Sequence, residues 1–233
     1  MKQNLRKRLA CLLLSALLLI GCLPVTAAAA ENGFILVAEA GGKLVIEPEY
    51  VSYTAGQTAA QALSASGHTF TGLDTGMISA IDGVTGNFTR SDENGNYDLS
   101  VSAASIGYLR FSEDTSSKPS DGLKQLMRAM ADYKKKDSDV QAAAKKEYGT
   151  ARDLFVGING ESAKTLAASL NDAVKNYENS LTGERYPVRF TDGSAAYSDG
   201  NYPGVSVTAE NAYGKQWTDD GDGVLELPKG DYT

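Results

Sequence analysis

Beyond residue 22 the chain has no cysteine: Cys11 and Cys22 are the only two in 233 residues. A thiol nucleophile, a disulfide framework and a Cys-ligated zinc site are therefore excluded from everything downstream. Histidine is almost absent as well, with His68 the single instance. A Ser-His-Asp hydrolase would have to be built on it. His68 follows the glycine of "SASGHTF" and reads instead as a turn or half-buried residue. Basic charge is short: 22 Lys and Arg stand against 29 Asp and Glu, a net charge of -7. Nucleic-acid phosphates require Lys and Arg, so no nucleic-acid partner is expected. No glycine-rich phosphate loop of the required spacing is present. After the N-terminus, no apolar run approaches the about 20 residues of a membrane span.

What is present starts with a leader. "MKQNLRKR" is basic, "LACLLLSALLLIG" is apolar, and "TAAAA" supplies small residues for cleavage after Ala30, so residues 1–30 read as a signal peptide. A second reading competes. Leu19-Ile20-Gly21-Cys22 resembles the lipobox of bacterial lipoproteins, in which Cys22 would be lipidated and tether the chain to a membrane. The well-formed Ala-x-Ala site favours release. The leader holds four of the basic residues and none of the acidic ones, so the exported part carries -11. Secretion or cell-surface location follows. An exported chain without cysteine suits a Gram-positive bacterial surface protein, in which the "NFT" sequon at Asn87 carries no meaning.

With 42% hydrophobic and 22% charged residues the chain can bury a core, and its length allows up to three small domains. Three segments follow the leader: 31–115, 116–184 and 185–233. The first is strand-like, with "KLVIEPEYVSYT" in two bursts, a short helix in "AGQTAAQALSASG" ending at Gly67, and strands in "GMISAIDGV" and "IGYLRF". The second is helical. Leu123, Leu126, Met127 and Met130 share one face after an N-cap at Ser120. Ser138 and Gln141 form a capping-box pair opening a second helix with the face Val140, Ala144, Tyr148, Ala151 and Phe155. Leu166, Leu170, Val174 and Tyr177 mark a third helix, and three such helices predict an antiparallel bundle. Lys134–Lys136 reads as a solvated helix end. The third segment returns to strands in "YPVRF", "GVSVTAE" and "VLEL", fewer than the roughly seven of a full sandwich. The expected fold class is α+β and multi-module.

No catalytic residue is expected. Asp74, Asp82, Asp92, Glu93 and Asp98 could in principle cut glycosidic bonds, but all lie in glycine-rich turns that Asp supports by side-chain hydrogen bonds. "DDGDG" invites a calcium reading, yet only Asp220 and Asp222 fit an EF-type loop, and a β-turn is the favoured reading. Tyr197, Tyr202, Tyr213 and Trp217 concentrate near the C-terminus. Tyr213 and Trp217 could stack on sugars, or fill a sandwich core. No cofactor is expected.

The first segment, through "YTAGQTAAQALSASG" and "FTGLDTGMISAIDGV", resembles the β-grasp domain found at the C-terminus of transcobalamin and in many bacterial surface proteins. In that family a strand leads through a Gly-Gln/Ser-Thr turn into a helix ending at Gly, and a later strand carries Ile-x-Gly. The family's closing "NG" hairpin is missing, and "IGYLRFSED" stands in its place. Some members bind cobalamin. "LKQLMRAMADY", "VQAAAKKEYGTARDLF" and "AKTLAASLNDAVKNYE" resemble the FIVAR-type three-helix modules of Gram-positive surface proteins. "GVSVTAENAYGKQWTDDGDGVLELPKGDYT" resembles the start of a Cna B-type or carboxypeptidase-regulatory-like β-sandwich, in which further strands follow Leu-Pro-x-Gly-x-Tyr. The chain is therefore expected to be part of a longer one, with Tyr213, Trp217, Leu225 and Leu227 partly exposed on half a sheet.

These resemblances imply a non-catalytic cell-surface protein that displays, adheres to or binds an extracellular glycan or protein. The alternatives are a lipoprotein capturing a small ligand such as a corrinoid, and the non-catalytic front of a larger surface enzyme.

Overall fold

The most apolar stretch after the leader, "GFILVAEA", does not alternate, which marks a strand covered on both faces. In the computed structural model, which describes residues 32–95, 98–114, 118–182, 184–189, 207–218 and 224–233, it is β1 (Gly33–Ala40), buried over nearly its whole length. Gly41 and Gly42, with φ of +58° and +72°, form a two-residue turn whose twist suits an antiparallel hairpin. The chain returns as β2 (Lys43–Ser52), one strand where two bursts were expected. β2 lies at the sheet edge, where Pro48 removes no ladder bond that the sheet needs.

Helix α1 (Ala59–Ser64) starts at a capping box that the sequence reading missed: Thr58 accepts from Gln61 N, and Gln61 accepts from Thr58 N. β3 (Phe70–Thr71), β4 (Ala80–Ile81) and β5 (Val84–Thr85) form a small antiparallel sheet. "GMISAIDGV" is thus a hairpin about Asp82-Gly83 and not the single strand expected, because an Asp-Gly pair favours the two-residue turn. β6 (Thr89–Ser91) and β7 (Tyr108–Ser112) complete the main sheet in the order β2-β1-β7-β6, with β1 and β7 parallel at its centre.

The two faces of this sheet bury different partners. Phe34, Leu36, Leu109 and Phe111 pack with Ala62 and Leu63 of α1 and with Ile81. Ile35, Val37 and Tyr108 pack on the other face against helices α2 (Asp121–Lys134), α3 (Ser138–Ala143), α4 (Lys145–Asp153) and α5 (Gly160–Thr182). The helical segment therefore shares its core with the sheet. Leu126, Met127, Met130 and Leu170 are fully buried there, each contributing roughly 1.5–3 kcal/mol of transfer free energy.

Ser120 caps α2 as expected, accepting from Leu123 N at 3.2 Å. The second helix differs from expectation. It breaks at Ala144 (φ -102°, ψ 13°) into α3 and α4, although all five residues of its predicted face are buried. The second piece is tied to other elements, by Tyr148 stacking on Tyr133 at 4.2 Å and donating to Glu47 of β2. The Ser138–Gln141 capping box is not formed. Asp137 occupies the N-cap without a side-chain bond, and Gln141 Nε2 donates to the carbonyls of Lys134 and Lys136, satisfying the end of α2. Lys134–Lys136 is more engaged than a solvated end. Lys134 pairs with Glu47 and Glu49, Lys135 lies 3.8 Å over the Tyr50 ring, and Lys136 pairs with Glu178.

At the C-terminus β8 (Arg185–Arg189) pairs with β11 (Val224–Pro228), and β9 (Thr208–Glu210) with β10 (Gln216–Thr218), both antiparallel. Leu225 and Leu227 are buried, contrary to the exposure expected for half a sheet, because alternation turns both to the covered face of β11. Thr233 exchanges two backbone bonds with Glu210.

Candidate ligand-binding groove

Strand alternation places Glu39 on the helical face with Ile35 and Val37, and Arg110 on that face with Tyr108. Parallel pairing sets Arg110 opposite Val37, within reach of Glu39. Arg110 Nε donates to Glu39 Oε1 at 2.7 Å, and the two side chains are only 6% and 5% exposed. Removing two charges from water costs several kcal/mol each, and their attraction offsets this only when the geometry is good and the remaining donors are satisfied. This pair uses one of the five N–H groups of the guanidinium.

The pair lines an open cavity of about 420 Å³ at the carboxyl ends of β1 and β7. Its other walls are the β1–β2 turn, Glu113, the start of α2 at Pro119 and Ser120, and the loop Phe155–Ile158 leading to Gly160. Glu113 Oε2 accepts from Gly41 N at 2.7 Å, joining the end of β7 to the hairpin turn. The N-termini of α2 and α5 meet here. A Cβ on Gly122 would lie 1.8 Å from the carbonyl oxygen of Gly160, so only glycine permits this approach. Asn159 Oδ1 caps α5 by accepting from Ser162 N at 2.9 Å.

His68 forms a second cluster. Its Nδ1 lies 2.6 Å from Asp82 Oδ2 and its Nε2 2.8 Å from Glu49 Oε1. Asp82, the one described non-glycine residue with positive φ (48°), also accepts from Thr69 N at 2.8 Å. Burial opposes charge on His68, but the bonds and charges of Glu49 and Asp82 outweigh it and raise its pKa. Burial likewise acts to raise the Asp82 carboxyl, yet the Thr69 and His68 bonds bring it below its usual range.

Of the other carboxylates expected in turns, Asp92 and Asp98 bond within their own turns, whereas Glu93 reaches 14 and 15 positions along the chain to the start of β7. Asp92 accepts from Asn94 N, Asp98 from Ser100 N, and Glu93 from the backbone N–H groups of Gly107 and Tyr108. Asp74 is exposed. Tyr108 Oη is buried without a partner among the described residues. Burial, then Glu93 and Asp92, push its pKa up to about 12.

Tyr213 and Trp217 have different ring partners: Tyr213 meets Tyr177 edge-on at 5.4 Å, and Trp217 meets Tyr232 edge-on at 5.5 Å. Asp220, Asp222, Tyr197, Tyr202 and Cys22 lie outside the described residues. Among the described residues no group of three or more His, Asp or Glu is placed to hold a metal ion. Among them, too, no helix is long and apolar enough to cross a membrane. Sequence reasoning missed Glu39 and Arg110. The signal was there: one acid in "FILVAEA" and one base in "YLRF" are lone charges in apolar strands, and buried charges pair. Comparison with protein families, with curated proteins and with solved structures finds no match.

Proposed function

We propose that the chain is the exported, non-catalytic ligand-binding part of a bacterial cell-surface protein. The observation that carries this is the groove over the Glu39–Arg110 pair, an open cavity with mixed apolar and charged walls on rigid elements. The engagement of His68, Asp82, Asp92, Glu93 and Asp98 in hydrogen bonds within the fold supports binding over catalysis. In this reading residues 31–115 are a β-grasp-like unit, 116–184 a three-helix module seated on it, and 185–233 the beginning of a β-sandwich. The mixed order β2-β1-β7-β6 with α1 on one face supports the first assignment.

The test uses the chain from Glu31 to Thr233, with intact mass of secreted material fixing the native start. Labelled protein is applied to arrays of glycans and of peptides and titrated with cyanocobalamin by absorbance. The expected result is saturable binding to an array ligand, returned chemically unchanged. Conversion of a bound ligand to product would overturn the non-catalytic reading. Saturable binding of cyanocobalamin alone would replace the glycan or protein ligand by a corrinoid.

A further inference from the structure

We infer that the groove over Arg110 is a subsite for the carboxylate of a small organic acid with an apolar body. This rests on the binding reading above and names the chemistry that the groove selects. Arg110 is buried, and among the described residues its only side-chain hydrogen bond is from Nε to Glu39. Its terminal amino groups are left as a planar fork on a residue that lines the cavity. A fork of this kind matches a carboxylate through two parallel bonds. The terminal amino groups stay open to solvent, whose place a ligand oxygen can take.

Two further features act on the same space. The N-termini of α2 and α5, helices of 14 and 23 residues, line the cavity and favour negative charge. The acidic neighbours set the charge that is tolerated. Glu39, Glu113 and Asp114 line the groove against Arg110 and Lys118. Three acids against two bases leave the walls net negative, and that excess penalises a dianion about twice as much as a monoanion at the same distance. A carboxylate is therefore selected over a phosphate. Beside the fork stand Leu123, Phe155, Val156 and Ile158, which offer an apolar wall to the rest of the ligand.

The experiment is a titration of 15N-labelled protein, residues 31–233, followed at the arginine side-chain signals and at the Gly160 amide. The probes are sodium acetate, sodium butyrate and inorganic phosphate at constant ionic strength. Acetate and butyrate are expected to shift the Arg110 and Gly160 signals saturably. Butyrate should bind up to about tenfold more tightly, from two extra buried methylene groups. The paired variant E39Q/R110Q, which leaves no lone buried charge, should lose the response. Val156→Asp, on a half-buried loop position, should weaken butyrate while leaving Arg110 in place, so the test stands even where the paired variant fails to fold. Absence of a saturable shift at Arg110, tighter binding of phosphate than of either carboxylate, or an unchanged response in Val156→Asp would each overturn the subsite. Array binding that persists in E39Q/R110Q would sink this inference and leave the binding function standing.

Discussion

His68 is the residue whose environment most constrains its charge. Both ring nitrogens face carboxylates, and only the imidazolium has two N–H groups to donate. Glu49 also faces Lys134 Nζ at 3.3 Å, and Asp82 also holds Thr69 N, so both acids are anchored. The folded pKa of His68 lies above its ordinary 6.5. Its stabilisation is therefore complete below pH 6.5 and is lost as pH rises through the raised value. Asp82 behaves oppositely. Its contribution is present above its ordinary 3.8 and is lost as pH falls through the lowered folded value. The clamp is strongest between these limits. With side chains 22–34% exposed, screening keeps the effect near ~1 kcal/mol. The urea midpoint should fall from pH 6 to pH 8, and His68→Gln should flatten that slope. An equal slope in the variant would show that the clamp contributes nothing.

At the scale of elements, two glycines separate conformational strain from crowding. Gly67 lies beyond the end of α1 with φ of +91°, and nothing stands within 4 Å of the place a methyl group would take, so Gly67→Ala meets only backbone strain, about 1 kcal/mol. Gly122 is the second residue of α2, a helical position where alanine meets no conformational penalty. Its added carbon would nevertheless meet the Gly160 carbonyl, a backbone atom that cannot rotate away. The starts of α2 and α5 would have to separate, at about 3 kcal/mol. Urea unfolding of both variants should rank Gly122→Ala as the more damaging. A neutral or stabilising Gly122→Ala would mean that these helix ends do not touch. The engagement of Gln141 with the end of α2 belongs to this scale too, since a capping pair written locally is overridden when a neighbouring helix offers orphan carbonyls.

At the scale of the molecule, the sheet with its helices has a core on each face, whereas residues 185–233 contribute two-stranded pairs. Isolated two-stranded pairs are marginal in water. This segment leans on α5, through Tyr213 against Tyr177 and Asn211 Nδ2 to Ser180 Oγ at 3.4 Å. Residues 31–184 are expected to unfold in one sharp thermal transition, and residues 185–233 alone to show none. A sharp transition in the short piece, followed by circular dichroism, would show that Leu225 and Leu227 are buried without help from α5.

The sequence by itself determined the local elements. Ser120, the spacing of Leu123, Leu126, Met127 and Met130, and the strands "YLRF" and "VLEL" were legible because caps and periodicity act between near neighbours. Only the tertiary structure decided which faces meet. It set the parallel β1–β7 pair that brings Glu39 to Arg110 across 71 positions, and seated His68 between acids 19 positions before it and 14 after it. It also joined the helical face to Ile35, Val37 and Tyr108 in one core. Such contacts depend on strand order and register, and periodicity along the chain shows which face is apolar without showing what covers it.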